Sequence, residues 1–164
     1  MFQRILLAID DSESSDVALS FATALAAQYS SAVRVVHVNE FLVGGRGFTV
    51  ETEAQAIAHL ENAVSVLRAA GIPTEGSLYL TSCFGVEARI ANAAHDWSAD
   101  VIVLGSRRRR RFARLGGKGM RERVTCLTSL PILTAPAPLE VGRTPTDMGE
   151  LPAVPLQDYP SISI

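Results

Sequence analysis

Cysteine, aromatic residues and long apolar runs are all scarce in this chain, and each shortage narrows what it can be. Cys83 and Cys126 stand alone with no C-x-x-C pairing, so neither a disulfide framework nor a cysteine-based metal knuckle is expected. Both read as thiols buried in an apolar interior. His37, His59 and His95 show no ligand spacing to each other or to the cysteines, so the pattern predicts no zinc site. Aromatic residues make up 6% of the chain, which is thin for a surface that stacks nucleic-acid bases. No apolar run approaches the roughly 18 residues of a membrane helix. The start, Met1-Phe2-Gln3-Arg4 and then Ile5-Leu6-Leu7-Ala8-Ile9-Asp10, lacks the basic start, long apolar stretch and cleavage site of a signal peptide. A cytoplasmic location is the expectation, with neither membrane nor nucleic acid as partner.

What is present is apolar substance enough for one core. The 164 residues are 48% hydrophobic, the size and composition of a single folded unit with a short appendage. The net charge of −2 conceals an asymmetry. Nine of the 15 basic residues fall between Arg107 and Arg123, with Glu122 the one acid among them. A local positive field on an otherwise acidic chain suits a small anion.

Continuous apolar runs alternate with helical periodicity. Ile5-Leu6-Leu7-Ala8-Ile9 reads as a strand buried on both faces. Ser12 follows as a helix N-cap, with Glu13 and Asp16 in the first turn. Val17, Phe21, Leu25 and Tyr29, beside Ala18, Ala22 and Ala26, would face the sheet. Val33 to Val38 is a second strand. A second helix from about Glu51 presents Ile57, Leu60, Val64 and Leu67, and Gly71 and Pro73 stop it. Ser77 to Leu80 is a third strand, and Val86, Ile90, Ala93, Ala94 and Trp97 form the inner face of a third helix. Val101 to Leu104 is a fourth strand ending at Gly105. A fourth helix carries Met120, Val124 and Leu127, before a last strand from Pro131 to Thr134.

Strands this apolar, alternating with helices, predict an α/β fold: a Rossmann-like, doubly wound, five-stranded parallel sheet with helices on both faces. Right-handed crossovers leave few topologies for five strands, and we choose the order 3-2-1-4-5, with a switch point between strands one and four. Residues 1–135 would form this domain. Residues 136–164 hold Pro136, Pro138, Pro145, Pro152, Pro155 and Pro160 and no periodic pattern. They read as a Pro-rich extended or disordered tail.

Three segments would meet at the switch point. At the end of the first strand, Asp10 has two readings: a contact to a ribose hydroxyl or a phosphate-bound metal ion, or a residue that ends the strand and caps the helix. At the end of the second, Val38 would flank a base, or stand as a core valine. The third runs from Gly105-Ser106-Arg107-Arg108 to Lys118-Gly119-Met120, where backbone N–H groups and cationic side chains would cradle an anion. A Walker loop would need glycine at position 112 and Ser or Thr after Lys118; the chain has Phe112 and Gly119. No nucleophile elbow or Ser/His/Asp constellation is recognisable, so no catalytic residues are assigned.

Taken together, Ile5 to Ser12, Ala99-Asp100-Val101-Ile102-Val103-Leu104-Gly105-Ser106-Arg107, and Glu122-Arg123-Val124 ahead of Leu130-Pro131-Ile132-Leu133 resemble the universal stress protein family across about residues 2–135. The resemblance implies a cytoplasmic stress-response protein, a homodimer through the last strand, and binding of ATP or AMP, with magnesium accompanying ATP. It places Ala8, Asp10 and Val38 on the adenosine side, and Gly105, Arg107, Arg108, Lys118, Gly119 and Met120 around the phosphates. The family's nucleotide-binding pattern is G-x-x-G, nine residues, then G-[S/T]. Here Gly105 fits the first position, while Arg108, Lys118 and Gly119 replace the others. Gly116 and Gly117 would then supply the backbone freedom and the cations the charge. The alternative is a stress-response dimer that binds no nucleotide and works through protein contacts.

Overall fold

Strands and helices alternate along the chain in the order that the apolar pattern requires. The computed structural model describes residues 2–41, 49–82, 85–106 and 119–136. The elements are β1 (Arg4–Ile9), α1 (Glu13–Tyr29), β2 (Ala32–Phe41), α2 (Glu53–Ala69), β3 (Thr74–Ser82), α3 (Val86–Asp96), β4 (Val101–Leu104), α4 (Met120–Thr125) and β5 (Ile132–Thr134). All pairings between strands are parallel, in the order β3-β2-β1-β4-β5. This is the expected doubly wound arrangement.

Period-two alternation divides each strand between the two faces. Ile5, Leu7, Val33, Val35, Val101 and Val103 pack with residues of α1 and α2. Leu6, Val36, Ile102 and Leu104 pack with residues of α3 and α4. Each such side chain, removed from water, contributes about 1.5–3 kcal/mol. The two layers explain why the strands had to be apolar throughout.

Several details depart from the sequence pattern. In α1 the deepest residues are Ala18, Ala22 and Ala26, with Val17, Phe21 and Leu25 only partly buried around them. Small side chains let the helix axis approach the sheet, and the large ones splay to its flanks. In α2, Ala56 is fully buried while Ile57 is 38% exposed. Past the end of α4, Leu127 is exposed, and so is Cys126, which had been expected inside. β2 and β3 outrun their apolar cores, pairing from Val33 with Thr74 to Phe41 with Ser82. Backbone ladders continue regardless of side-chain polarity, which period and hydropathy cannot register. Sheet pairing reaches Ala135, whose N–H donates to the Leu104 carbonyl at 2.9 Å. The tail expectation concerns residues that, apart from Pro136, lie outside the described ones.

Candidate functional site

The chain leaves β1 through α1 towards β2 on one face, and leaves β4 through α4 towards β5 on the other. A crevice therefore opens beyond the carboxyl ends of β1 and β4. Gly105 closes one side of it. A Cβ at that position would stand 2.8 Å from the Ser14 carbonyl oxygen and 3.0 Å from Ser14 C and Cβ, so only glycine lets the end of β4 rest on the first turn of α1. The Ser14 hydroxyl donates to the Ser106 carbonyl at 3.0 Å and ties the two connections together.

Asp10 sits at the centre of a hydrogen-bonded turn. Its Oδ1 accepts from the Ser12 N–H at 3.1 Å, from the Ser15 hydroxyl at 2.7 Å and from the Ser12 hydroxyl. The Ser15 hydroxyl in turn accepts from the Asp10 N–H at 2.7 Å. Ser12 occupies the N-cap position, but its side chain caps no helical N–H; it donates to Asp10 instead. The strand-ending reading of Asp10 thus has a structural basis. The carboxylate shapes the entry into α1.

Ala8 and Val38, expected on the adenosine side, and Met120, expected around the phosphates, border one core cluster. All three are half-buried and pack against the core on the α3–α4 face, beside Tyr79. Val38 pairs with Tyr79 across β2 and β3, and the Arg89 guanidinium lies 5.2 Å from the Tyr79 ring centroid. The result is an apolar shelf with a cation at its rim. Gly119 opens α4, but its N–H donates to Glu122 Oε2 at 3.0 Å. Among the described residues nothing lies within 4 Å of a Cβ built there, and a φ of −68° does not itself demand glycine. An anion at this position would compete with the chain's own carboxylate. Arg107, Arg108 and Lys118 lie outside the described residues.

On the opposite face, the fold assembles a cluster that linear spacing did not reveal. His37 is 1% exposed; its Nδ1 is 3.1 Å from the Ile9 carbonyl oxygen and its Nε2 is 3.0 Å from Glu51 Oε2. His59 Nδ1 lies 3.5 Å from the same carboxylate oxygen. One ligand atom from each residue lies within 4.8 Å of the others. Buried Asn39 clamps Glu51 by its backbone, donating to its carbonyl at 3.0 Å and accepting from its N–H at 3.4 Å. The expectation of no zinc site rested on spacing along the chain, which does not govern residues joined by a strand and a helix. The period-two placement of His37 and Val35 on one face, towards α2, was the one signal available.

Residues 1–118 match the model of the Universal stress protein family. The chain belongs to this family. Its fold is that of a universal stress protein family member from Burkholderia pseudomallei, at 22% identity and a TM-score of 0.66, covering 83% of this chain and 97% of that one. A universal stress protein from Archaeoglobus fulgidus solved in complex with dAMP is similar at 25% identity, with a TM-score of 0.60 and coverage of 81% and 97%. One solved in complex with cAMP is similar at 19% identity, with a TM-score of 0.64 and coverage of 81% and 95%. No curated protein matches significantly. Among the described residues no helix is long and apolar enough to cross a membrane.

Proposed function

We propose that this universal stress protein binds an adenine nucleotide in the crevice beyond β1 and β4, and acts as a cytoplasmic homodimer in stress response. The observation that carries the reading is the half-buried apolar shelf of Ala8, Val38 and Met120 at that crevice. A purine face would cover it. Asp10 would meet the ribose, and Gly105, Arg107, Arg108, Lys118 and Gly119 would surround the phosphates, with magnesium bound when the ligand is ATP. Relatives in complex with dAMP and cAMP support the class of ligand. No catalytic step is assigned to the site.

The occupied Gly119 N–H favours a second reading, a dimer that holds no nucleotide and works through protein contacts. Calorimetry of the full chain with AMP, cAMP and ATP, the last with and without magnesium, decides between them. One site per chain is expected. Absence of heat and of any thermal shift with all three at millimolar concentration would establish the second reading.

A further inference from the structure

The His37–Glu51–His59 cluster poses a hydrogen-bonding problem. The Ile9 carbonyl oxygen only accepts, so His37 Nδ1, 3.1 Å away, must carry the hydrogen. In the neutral ring Nε2 then presents a lone pair, and it faces a carboxylate oxygen 3.0 Å away. Two acceptors at that distance repel unless a positive charge lies between them: a proton or a metal ion. A proton shared by His37 and Glu51 needs no third group. Yet a second imidazole nitrogen, from His59, approaches the same oxygen at 3.5 Å.

We propose that His37, Glu51 and His59 bind one transition-metal dication of the zinc class. Ligands about 2.0–2.1 Å from a tetrahedral zinc stand about 3.3–3.4 Å apart. The separations of 3.0 and 3.5 Å from Glu51 Oε2 fall either side of that spacing, and the three ligand atoms lie within 4.8 Å of one another, so a turn of the half-exposed His59 ring towards His37 would seat the ion. The supports of a metal site are also in place. His37 donates its other ring N–H to a backbone carbonyl, the usual means of orienting a ligating imidazole. Asn39 holds Glu51 at its backbone, and His59 stands on a helix 17 residues long. Two imidazoles and one carboxylate suit zinc, cobalt or nickel and not magnesium, which takes oxygen ligands.

His59 also lines a cavity of about 180 Å³ together with Asp10, Asp11, Ser12 and Asp16. Water can complete the coordination from there, and the carboxylates favour entry of a cation. The three ligands lie across the sheet from Ala8 and Val38, on the α2 face, and none of them belongs to the nucleotide reading, although Asp10 lines the cavity beside them.

The test uses the full chain, stripped with a chelator, dialysed against zinc and analysed for metal content, with cobalt(II) absorption reporting geometry. One zinc per chain is expected, unaffected by excess magnesium, with tetrahedral-type cobalt bands. His59→Ala and Glu51→Gln should each weaken binding more than about 100-fold, beyond the loss typical of outer partners. Both residues lie outside the fully buried core, whereas His37→Ala would confuse metal loss with unfolding. A His95→Ala, Cys126→Ser variant should bind as the parent does. Failure of the parent to retain zinc would overturn the proposal. Equal affinity in the His59→Ala chain, or loss in the His95→Ala, Cys126→Ser chain, would overturn it as well.

Discussion

At Gly105 the absence of one methyl group sets how closely β4 approaches α1. The atoms that an added Cβ would meet belong to Ser14, its carbonyl oxygen at 2.8 Å among them, and backbone cannot rotate aside as a flexible side chain can. Gly105→Ala should therefore destabilise the fold by about 1–3 kcal/mol. Urea denaturation should show a lower midpoint with an unchanged slope; an unmoved midpoint would mean that the turn at Ser14 yields. Asp10 permits a sharper separation of roles. Asp10→Ala removes the acceptor of three hydrogen bonds and should cost about 1–3 kcal/mol. Asp10→Asn keeps an acceptor oxygen, so its stability should stay near that of the parent. If the carboxylate meets a ribose, the Asn variant should nonetheless bind AMP less tightly in calorimetry. Full affinity there would remove Asp10 from the ligand site.

At the scale of elements, the connection from β4 to α4 would decide how a bound phosphate is held, although its residues 107–118 lie outside the described ones. Arg108 and Lys118 stand where the resembled pattern has glycine, and if a nucleotide binds they would either hold its phosphate by charge or exclude it by bulk. The charge account predicts that Lys118→Gly loses about 1.5–3 kcal/mol, or about 10- to 100-fold in affinity for ATP. The blocking account predicts that Arg108→Gly with Lys118→Gly binds more tightly than the parent. Charge is the favoured account, because Gly116, Gly117 and Gly119 flank Lys118 in the sequence and would supply the backbone freedom. Glu122 belongs to the same balance, since its carboxylate takes the Gly119 N–H and sits at the positive end of α4. Glu122→Gln should raise nucleotide affinity several-fold while slightly loosening the helix. A fall in affinity would show that Glu122 orders the site and does not compete for it.

At the scale of the whole molecule, the sheet formed by the described residues ends on an edge. β5 is the outer strand beside β4, and the Pro131 carbonyl and Ala135 N–H both turn towards β4. Strand alternation then points the backbone groups of Ile132 and Thr134 outwards, where another chain can add to the sheet. If the homodimer forms there, Thr134→Pro removes an outward N–H without touching the bonds to β4. Analytical ultracentrifugation should find monomers that unfold at nearly the parent temperature. A dimer that persists would place the contact on another surface. Replacing Ile132 itself would be less clean, because its side chain packs partly into the core on the α3–α4 face.

The alternation of apolar runs with helical stretches was enough to read the parallel sheet and to narrow its strand order to a few, of which the one chosen is the one observed. Those features follow from backbone periods and crossover handedness, which are properties of neighbouring residues. The same local reading misjudged the inner face of α1, where Ala18, Ala22 and Ala26 lie deepest, because depth depends on how near the sheet a helix can come. It was silent on the Glu122 carboxylate at Gly119. Beyond placing His37 on the α2 side of its strand, it gave no sign that this residue, 14 positions from Glu51, would meet it together with His59. Only the register of β2 against β1, and the seating of α2 over it, brought these three side chains to one point. Convergence of distant side chains is set by where elements dock, and no period along the chain encodes that.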